Sequence, residues 1–548
     1  MQRVAVIGLD AAEVELVDEM IAAGSLPTLA RLRRSGAACR LTSEATWRSG
    51  RVWETLLTGR ADFPGAALFD PATYDSFQLG SRRQTPFYAQ APGLRVVALD
   101  VPYMSLWHDV PGAQVIWGGH DAGYPRASRP AGLVREIDAR FGVHPAFHND
   151  FDCAWHHPPA IDTLADALLL GLRRRIDVIA WLLAKFPDWN LFMTVLSEAH
   201  SAGEMFWHGM AKGHPLERHP TADLARRRLC EVYSELDSSI ERIERLLPPD
   251  TTLVVCSVHG MESNHYDVPS MVLLPELLYR EATGQRLLPA NDLRSWRRRG
   301  CPPVLPADDE KWNDALRSQF GVRRWRAWWL AARRAVGLKR SRRRAVEELV
   351  VPIRPECEEP PEQIAEPRWK LDWQSTCWYR PYWAKMRAFA LPVFYDGRVR
   401  INLQGREQAG LVPQEEYHAA CDAVELLLAE CRNPRDGRPV LAEIERARAA
   451  DPLAKGGPDA DLVITWNQNI DAVEHPRLGS IGPIPFRRTG GHTSRGFASV
   501  TGPGIAAQDL GMREALDLTP TLLDLLGQPH LGHSHLGRSL LRPARRAA

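Results

Sequence analysis

The feature that most constrains the fold is an alternation, over residues 1 to about 275, of short apolar runs with longer amphipathic stretches. The clearest apolar runs lie at 4–9, 95–101, 190–196 and 252–257. They are nearly continuous in hydrophobicity, as is typical of parallel strands that are buried on both faces. Helical patterns follow at 12–23, 161–186 and 222–247. This alternation predicts βα units packed on a largely parallel sheet.

The same character returns after residue 380. Strands are predicted at 387–394, 398–402 and 461–466, and helices at 414–431 and 516–526. Between these regions Trp, Arg and Pro accumulate and the strand signal vanishes. The sequence therefore predicts an α/β core whose first part is 1–275, a helical and basic insertion or cap at 276–380, and a second core part at 381–548 that completes the functional site.

The charge is unevenly distributed. The whole chain has a formal net charge of +1, which excludes a uniformly basic nucleic-acid-binding protein. Residues 323–344 nevertheless carry ten basic residues and no acidic one, so the remainder sums to −9. Tryptophans recur among these charges at roughly helical spacing, as in a basic amphipathic helix that lies on an anionic membrane surface. The alternatives are a helix that packs its tryptophans on the core and turns its arginines toward water or an anionic substrate, and a helix that contacts nucleic acid.

The expected compartment is the cytoplasm. The first apolar run is too short for a signal peptide, and no stretch of about 18 apolar residues predicts a membrane span. The nine cysteines are odd in number and form no Cys-x-x-Cys pair, which favours a reduced environment. If residues 323–344 bind lipid, we expect peripheral contact with the inner membrane surface.

Metal-ligand residue types follow several of the predicted strands. Asp10 follows the first run, His200 and Glu204 follow 190–196, and His259 follows 252–257. His492 lies in a glycine-rich stretch near the end of the chain. Because ligands of open parallel sheets gather at the carboxyl ends of strands, we expect these residues to lie at one edge of the sheet.

Six short stretches carry a resemblance to a known family. They are 6–10 (VIGLD), 53–60 (WETLLTGR), 100–102 (DVP), 197–207 (SE to FW), 257–261 (SVHGM) and 491–492 (GH). In order and spacing they resemble the type I phosphodiesterase/nucleotide pyrophosphatase branch of the alkaline phosphatase superfamily. The resemblance implies a three-layer α/β/α fold with a largely parallel central sheet, here interrupted by the Trp- and Arg-rich insertion.

The resemblance also implies a site with two divalent metals, usually zinc, with manganese as an alternative. It implies a Ser or Thr nucleophile four residues before Trp53, which is Ser49 here, with Thr46 as the rival. A metal lowers the pKa of such a hydroxyl, and a helix start favours the phosphoryl anion. Arg48 and Arg51 flank Ser49 and could clamp phosphoryl oxygens.

The chain departs from the family pattern at both metal positions. Where the family has Asp and, four residues later, His, this chain has His200 and Glu204, which with His492 make a His-Glu-His ligand set. The other set would be Asp10, Ser49 and His259, but Val258 stands in place of a carboxylate. His265 or Asp267 could substitute for it. One or two metal ions are therefore expected.

Two functions of different class follow. The first is a metal-dependent phosphoesterase that acts through Ser49 on a small-molecule, lipid-linked or glycan-linked phosphate ester, by hydrolysis or by transfer to an acceptor; no specific nucleic acid is expected. The second is a non-catalytic descendant of the fold that binds an anionic ligand or partner. Val258 and the altered residues at 200 and 204 favour the second, whereas the presence of Asp10, Ser49, His259 and His492 together favours the first.

Overall fold

The computed structural model describes most of the chain. The described residues are 2–44, 47–61, 67–79, 85–118, 126–146, 154–289, 292–307, 311–319, 368–448, 451–454, 458–534 and 536–541. Thr46 and the basic stretch 323–344 lie outside them, as does the side chain of Ser49. The expected membrane contact through 323–344 therefore stays a prediction.

Strands and helices alternate along the described chain. The strands are β1 (Val4–Leu9), β2 (Ala37–Thr42), β3 (Ala67–Asp70), β4 (Asp75–Leu79), β5 (Val96–Leu99), β6 (Gly112–Ile116), β7 (Ala127–Arg129), β8 (Leu191–Leu196), β9 (Thr252–Ser257), β10 (Gly260–Ser263), β11 (Arg368–Lys370), β12 (Ala388–Ala390), β13 (Gly397–Ile401), β14 (Leu441–Arg446), β15 (Leu462–Trp466), β16 (Val473–His475), β17 (Gly479–Ile481), β18 (Gly490–Thr493), β19 (Arg495–Thr501) and β20 (Gln508–Glu514). The α-helices are α1 (Val14–Ala22), α2 (Pro27–Ser35), α3 (Val52–Thr58), α4 (Leu133–Phe141), α5 (Pro158–Lys185), α6 (Glu198–Phe206), α7 (Ala222–Leu246), α8 (Leu274–Thr283), α9 (Leu293–Arg298), α10 (Trp312–Gln319), α11 (Arg380–Trp383), α12 (Tyr417–Ala429) and α13 (Leu518–Leu525).

A central sheet organises the molecule. Among the described residues it has nine strands in the order β20-β2-β19-β9-β1-β8-β5-β6-β7. Strands β9, β1, β8, β5 and β6 run parallel to one another, while β19 and β7 run antiparallel to their neighbours. The strands β1, β8 and β9 thus lie side by side with their carboxyl ends at one edge, which confirms the predicted, largely parallel sheet.

Helices cover both faces of this sheet. Along β1 the side chains alternate between two apolar cores, because successive residues of a strand point to opposite faces. Ala5, Ile7 and Leu9 belong to a core shared with α5 and α7, whereas Val4 and Val6 belong to a core shared with α3 and α13. The predicted three-layer α/β/α architecture is therefore confirmed.

The predicted buried elements agree with the structure to within about three residues. The runs 4–9 and 252–257 coincide with β1 and β9, and the helix predicted at 222–247 is α7. The strand predicted at 387–394 is much shorter, since only Ala388–Ala390 pairs with β13.

Where it is described, the region 276–380 contains α9, α10 and most of α8. One strand is an exception to the predicted loss of strand character, because β11 pairs with β4 of the first core part. The two predicted boundaries between the three segments stay predictions. Within the described part of the chain, no helix combines the length and apolarity that a membrane crossing requires.

Candidate metal centre

Helix α6 presents His200 and Glu204 at the carboxyl end of the central strand β8. One residue separates the end of β8 from Glu198, the first residue of the helix. Residues four apart lie on the same face of a helix, and the His200 Nε2 atom lies 3.5 Å from Glu204 Oε1. Both side chains are buried. The helix therefore directs a nitrogen and an oxygen donor to one point above the sheet edge.

A glycine allows the third donor to reach the same point. His492 lies on β18, which pairs with β10 so that His492 stands opposite Met261. A Cβ atom at Gly490 would lie 2.2 Å from the backbone oxygen of Gly203 in α6. Only glycine permits so close an approach of strand to helix. As a result His492 Nε2 lies 3.8 Å from Glu204 Oε1.

His200, Glu204 and His492 form the one cluster of potential metal ligands found among the described residues. One donor atom from each lies within 4.8 Å of the other two. A tetrahedral zinc with bonds of about 2.1 Å would place its donors roughly 3.4 Å apart, close to the two shorter distances here. Two imidazoles and a carboxylate are also the ligand types that zinc and manganese accept. The donor set fits a divalent metal.

Asp10 and His259 pair with each other at the carboxyl ends of β1 and β9. The His259 Nε2 atom lies 3.1 Å from Asp10 Oδ1, and the Trp53 indole donates a 2.6 Å hydrogen bond to the same oxygen. Trp53 reaches Asp10 because it packs on Gly8, where an added Cβ would meet the indole ring at 2.4 Å. This contact brings the 6–10 and 53–60 stretches together in the fold.

The position next to this pair offers no further donor. Val258 is fully buried and belongs to the apolar core that includes Val52 and Trp53. Asp267, the proposed substitute ligand, instead pairs with Arg487 and Arg488, and His265 Nδ1 lies 3.0 Å from the Ser263 carbonyl oxygen. The residues present therefore fit a metal less well here than at the His-Glu-His cluster.

The predicted nucleophile lies on a short turn before α3. Trp47–Ser49 forms a 3₁₀ turn, and α3 begins at Val52. The guanidinium carbon of Arg48 lies 5.3 Å from the centroid of the Trp47 ring, and Arg48 is half-buried.

Arg51 is placed differently from Arg48. It is fully buried and forms an ion pair with Glu54. Its guanidinium carbon lies 5.3 Å from the centroid of the Tyr103 ring. These contacts order the turn after Ser49, and the role of Arg51 as an oxygen clamp stays a prediction.

A network of buried charged side chains contacts Glu198, the first residue of α6. Arg175 of α5 lies 2.8 Å from Asp100 and 3.2 Å from Glu198. His144 Nε2 lies 2.9 Å from the same Glu198 oxygen. Burial alone would raise the pKa of Glu198, but the charge of Arg175 and the contact with His144 lower it to about 2. The ionised Glu198 thus stands two residues before His200 with its partners in place.

Sequence reasoning missed Arg488. This buried arginine forms an ion pair with Glu204, the carboxylate of the candidate ligand set, and a second one of 2.8 Å with Asp267. Burial raises the pKa of Asp267, and Arg487 opposes that rise. The available signal was the Arg487-Arg488 pair immediately before the 489–492 stretch that carries His492.

An aromatic group lies beside His492. The Tyr395 ring stacks on the His492 imidazole with a centroid distance of 5.1 Å. The Tyr266 hydroxyl accepts a 2.5 Å hydrogen bond from the His492 backbone N–H. These contacts hold both the ring and the backbone of the third donor, as partners around a metal ligand commonly do.

The sequence matches the family model for type I phosphodiesterase/nucleotide pyrophosphatase over residues 4–477. The chain belongs to this family. Membership in the type I phosphodiesterase family confirms the resemblance predicted from the six short stretches, and it supports a phosphoesterase. No curated protein matches the sequence.

Solved structures show distant likeness. Murine ectonucleotide pyrophosphatase/phosphodiesterase 5, in an inactive form with AMP, is 11% identical, with 96% of this chain and 95% of that chain covered and a TM-score of 0.46. The human protein of the same name gives the same values. Phosphonoacetate hydrolase from Sinorhizobium meliloti, with phosphonoformate, is 11% identical over 97% of this chain and 96% of that chain, with a TM-score of 0.44.

Proposed function

We propose that this family member is a phosphoesterase that uses one divalent metal, held by His200, Glu204 and His492, and a Ser49 nucleophile. The observation that carries the proposal is the convergence of three buried donors from α6 and β18 within 4.8 Å. When bound, the metal would supply Lewis-acid stabilisation of charge on the phosphoryl oxygens. Zinc and manganese both suit the donor set.

The chain's own residues would carry the remaining steps. Ser49 attacks phosphorus as the P–O bond to the leaving alcohol breaks, and the half-buried Arg48 binds a non-bridging oxygen. The proton lost by the Ser49 hydroxyl ends on the departing alkoxide, and water then hydrolyses the phosphoseryl intermediate and restores the hydroxyl. The pairing of His259 Nε2 with Asp10 leaves Nδ1 of the neutral imidazole as an acceptor. We assign that atom the proton of the attacking hydroxyl, in the manner of a carboxylate-oriented histidine base. This pair would act where the resemblance implied a second metal, and Val258 fits that assignment because it offers no ligand.

Metal content and activity test the proposal together. The purified full chain is loaded with Zn²⁺ or Mn²⁺, dialysed, and analysed for metal by mass spectrometry. Activity is measured on bis(p-nitrophenyl) phosphate and on p-nitrophenyl phosphate, a diester and a monoester. We expect one equivalent of metal in the wild type, and in Glu204→Gln and His492→Ala a loss of metal and of more than about 100-fold in activity.

Three further variants separate the roles. Ser49→Ala and His259→Asn are expected to lose activity while they retain the metal, since neither is assigned to the single metal site. His208→Gln is the matched control, because His208 lies four residues past Glu204 but contacts Thr221 instead, at 3.0 Å. Its metal content should equal that of the wild type. Wild-type protein with less than a tenth of an equivalent of metal and no activity after metal addition would refute the proposal.

A further inference from the structure

The guanidinium group of Arg488 lies against the same carboxylate oxygen of Glu204 that is expected to bind a metal. Glu204 Oε1 faces His200 Nε2 at 3.5 Å and His492 Nε2 at 3.8 Å, and the Arg488 guanidinium contacts this same oxygen. The arginine is only 4% exposed. Its backbone is also tied to the helix, because the next residue, Thr489, donates a 2.9 Å hydrogen bond to the Glu204 carbonyl oxygen.

The second partner of Arg488 is already provided with another cation. Asp267 lies 2.8 Å from Arg488 Nε and 3.1 Å from Arg487 Nη1. If the Arg488 guanidinium left this cluster, Asp267 would keep its ion pair with Arg487. Of these two carboxylates, Glu204 is the one that would lose its cation, and a bound metal would replace that cation.

The charges of this cluster determine the electrostatic free energy of metal binding. Glu204 and Asp267 are balanced by Arg487 and Arg488, so the four buried groups sum to zero without metal. A divalent ion adds two positive charges and takes Glu204 from Arg488. Arg487 and Arg488 would then share the single carboxylate of Asp267, and a buried positive charge in excess of its counter-ions is unfavourable. The metal-bound cluster therefore carries two uncompensated positive charges until an anion binds.

We propose that Arg488 is a substrate-binding residue that couples the metal to the phosphoryl group: it pairs with Glu204 in the metal-free protein and with the phosphate anion when the metal takes Glu204. A planar guanidinium is well suited to bind two phosphate oxygens at once. A dianion restores a net charge of zero, which favours a phosphate monoester or inorganic phosphate over a diester monoanion. The inference rests on the proposed metal site and names the anion class that the site prefers.

The coupling must act in both directions. If phosphate tightens metal binding, the metal tightens phosphate binding by the same factor. We expect a factor of at least about 10, within the usual range of coupling energies between two ligands.

The test is calorimetric titration of the metal-free full chain with Mn²⁺, without and with saturating inorganic phosphate, corrected for complexation of Mn²⁺ by phosphate in a blank. In the wild type, phosphate should lower the Kd for Mn²⁺ at least tenfold. In Arg488→Gln the Kd without phosphate should fall, since no cation competes for Glu204, and the phosphate effect should disappear. Arg488→Lys keeps the charge and should retain part of the effect.

Arg435→Gln is the control, because it removes another arginine paired with a buried carboxylate, Asp471, and should leave the coupling unchanged. Wild-type protein that binds Mn²⁺ with a Kd independent of phosphate would overturn the inference and leave the proposed metal site intact, whatever the variants do. Full coupling in Arg488→Gln would also overturn it. Absence of Mn²⁺ binding to the wild type would overturn both proposals.

Discussion

Replacing Arg175 by methionine tests the buried network beneath the metal centre. Arg175 is fully buried and lies between two carboxylates, Asp100 at 2.8 Å and Glu198 at 3.2 Å. Removing one member of a buried ion pair leaves the other uncompensated and typically costs about 3–5 kcal/mol. Methionine approximates the volume of the arginine stem, so a cavity contributes little. We expect a loss of this size in the free energy of unfolding.

The assay is urea denaturation followed by tryptophan fluorescence, for the wild type, Arg175→Met, Glu198→Gln and the double variant. If the cost arises from an uncompensated charge on Glu198, Arg175→Met should cost at least about 1 kcal/mol less in the Glu198→Gln background. Asp100 accounts for the cost that remains, although it keeps hydrogen bonds from the backbone N–H groups of Trp117 and Gly118. A single-variant loss below about 1 kcal/mol, or fully additive effects, would refute the electrostatic explanation.

Two other predictions concern Val258 and His208. Val258→Asp should restore a carboxylate beside His259 and raise the bound metal from one to two equivalents. Because the new charge is buried in the apolar core, the metal-free variant should be less stable than the wild type by several kcal/mol. The control Val258→Asn should lose stability without gaining metal, and an unchanged metal content in Val258→Asp would contradict the prediction. Burial, with the charges of His219 and His214, lowers the pKa of His208 to about 3, so the unfolded chain takes up a proton below pH 6.5 that the folded chain does not. The free energy of unfolding should therefore fall by up to about 1.4 kcal/mol per pH unit as the pH drops from 6.5 toward 3. Urea titrations of His208→Gln at several pH values should lack this contribution. If the free energy of unfolding depends on pH equally in the wild type and in His208→Gln, the contribution of His208 is excluded.

Burial explains which parts of the fold could be predicted. Strands β1, β8 and β9 are buried along their whole length, so their apolar runs stand out against neighbouring segments. The edge strand β20 has the opposite character, since most of its residues are exposed. Its place beside β2 comes from backbone pairing, which leaves no hydrophobic signal in the sequence.

The candidate site divides in the same way. Asp10, His200 and His259 could be placed near one another because the ends of neighbouring parallel strands meet. The contact between Arg488 and Glu204 joins residues 284 positions apart, and neither spacing nor hydrophobic periodicity in the sequence relates one residue to the other. The pairing of Asp10 with Trp53 likewise depends on the space left at Gly8. Such contacts follow from the packed chain and not from a local pattern.

The position of β19 in the sheet has a consequence for synthesis of the protein. This strand lies between β9 and β2, yet it follows β9 by about 240 residues in the chain. At about 5–20 residues per second, the ribosome needs roughly 12–50 s to cover that interval. Until then the nascent chain exposes edges of β2 and β9 that could pair with other chains. His492 lies three residues before the start of β19, so the last donor reaches α6 as this strand is inserted, and metal uptake would report the insertion of β19 between β9 and β2.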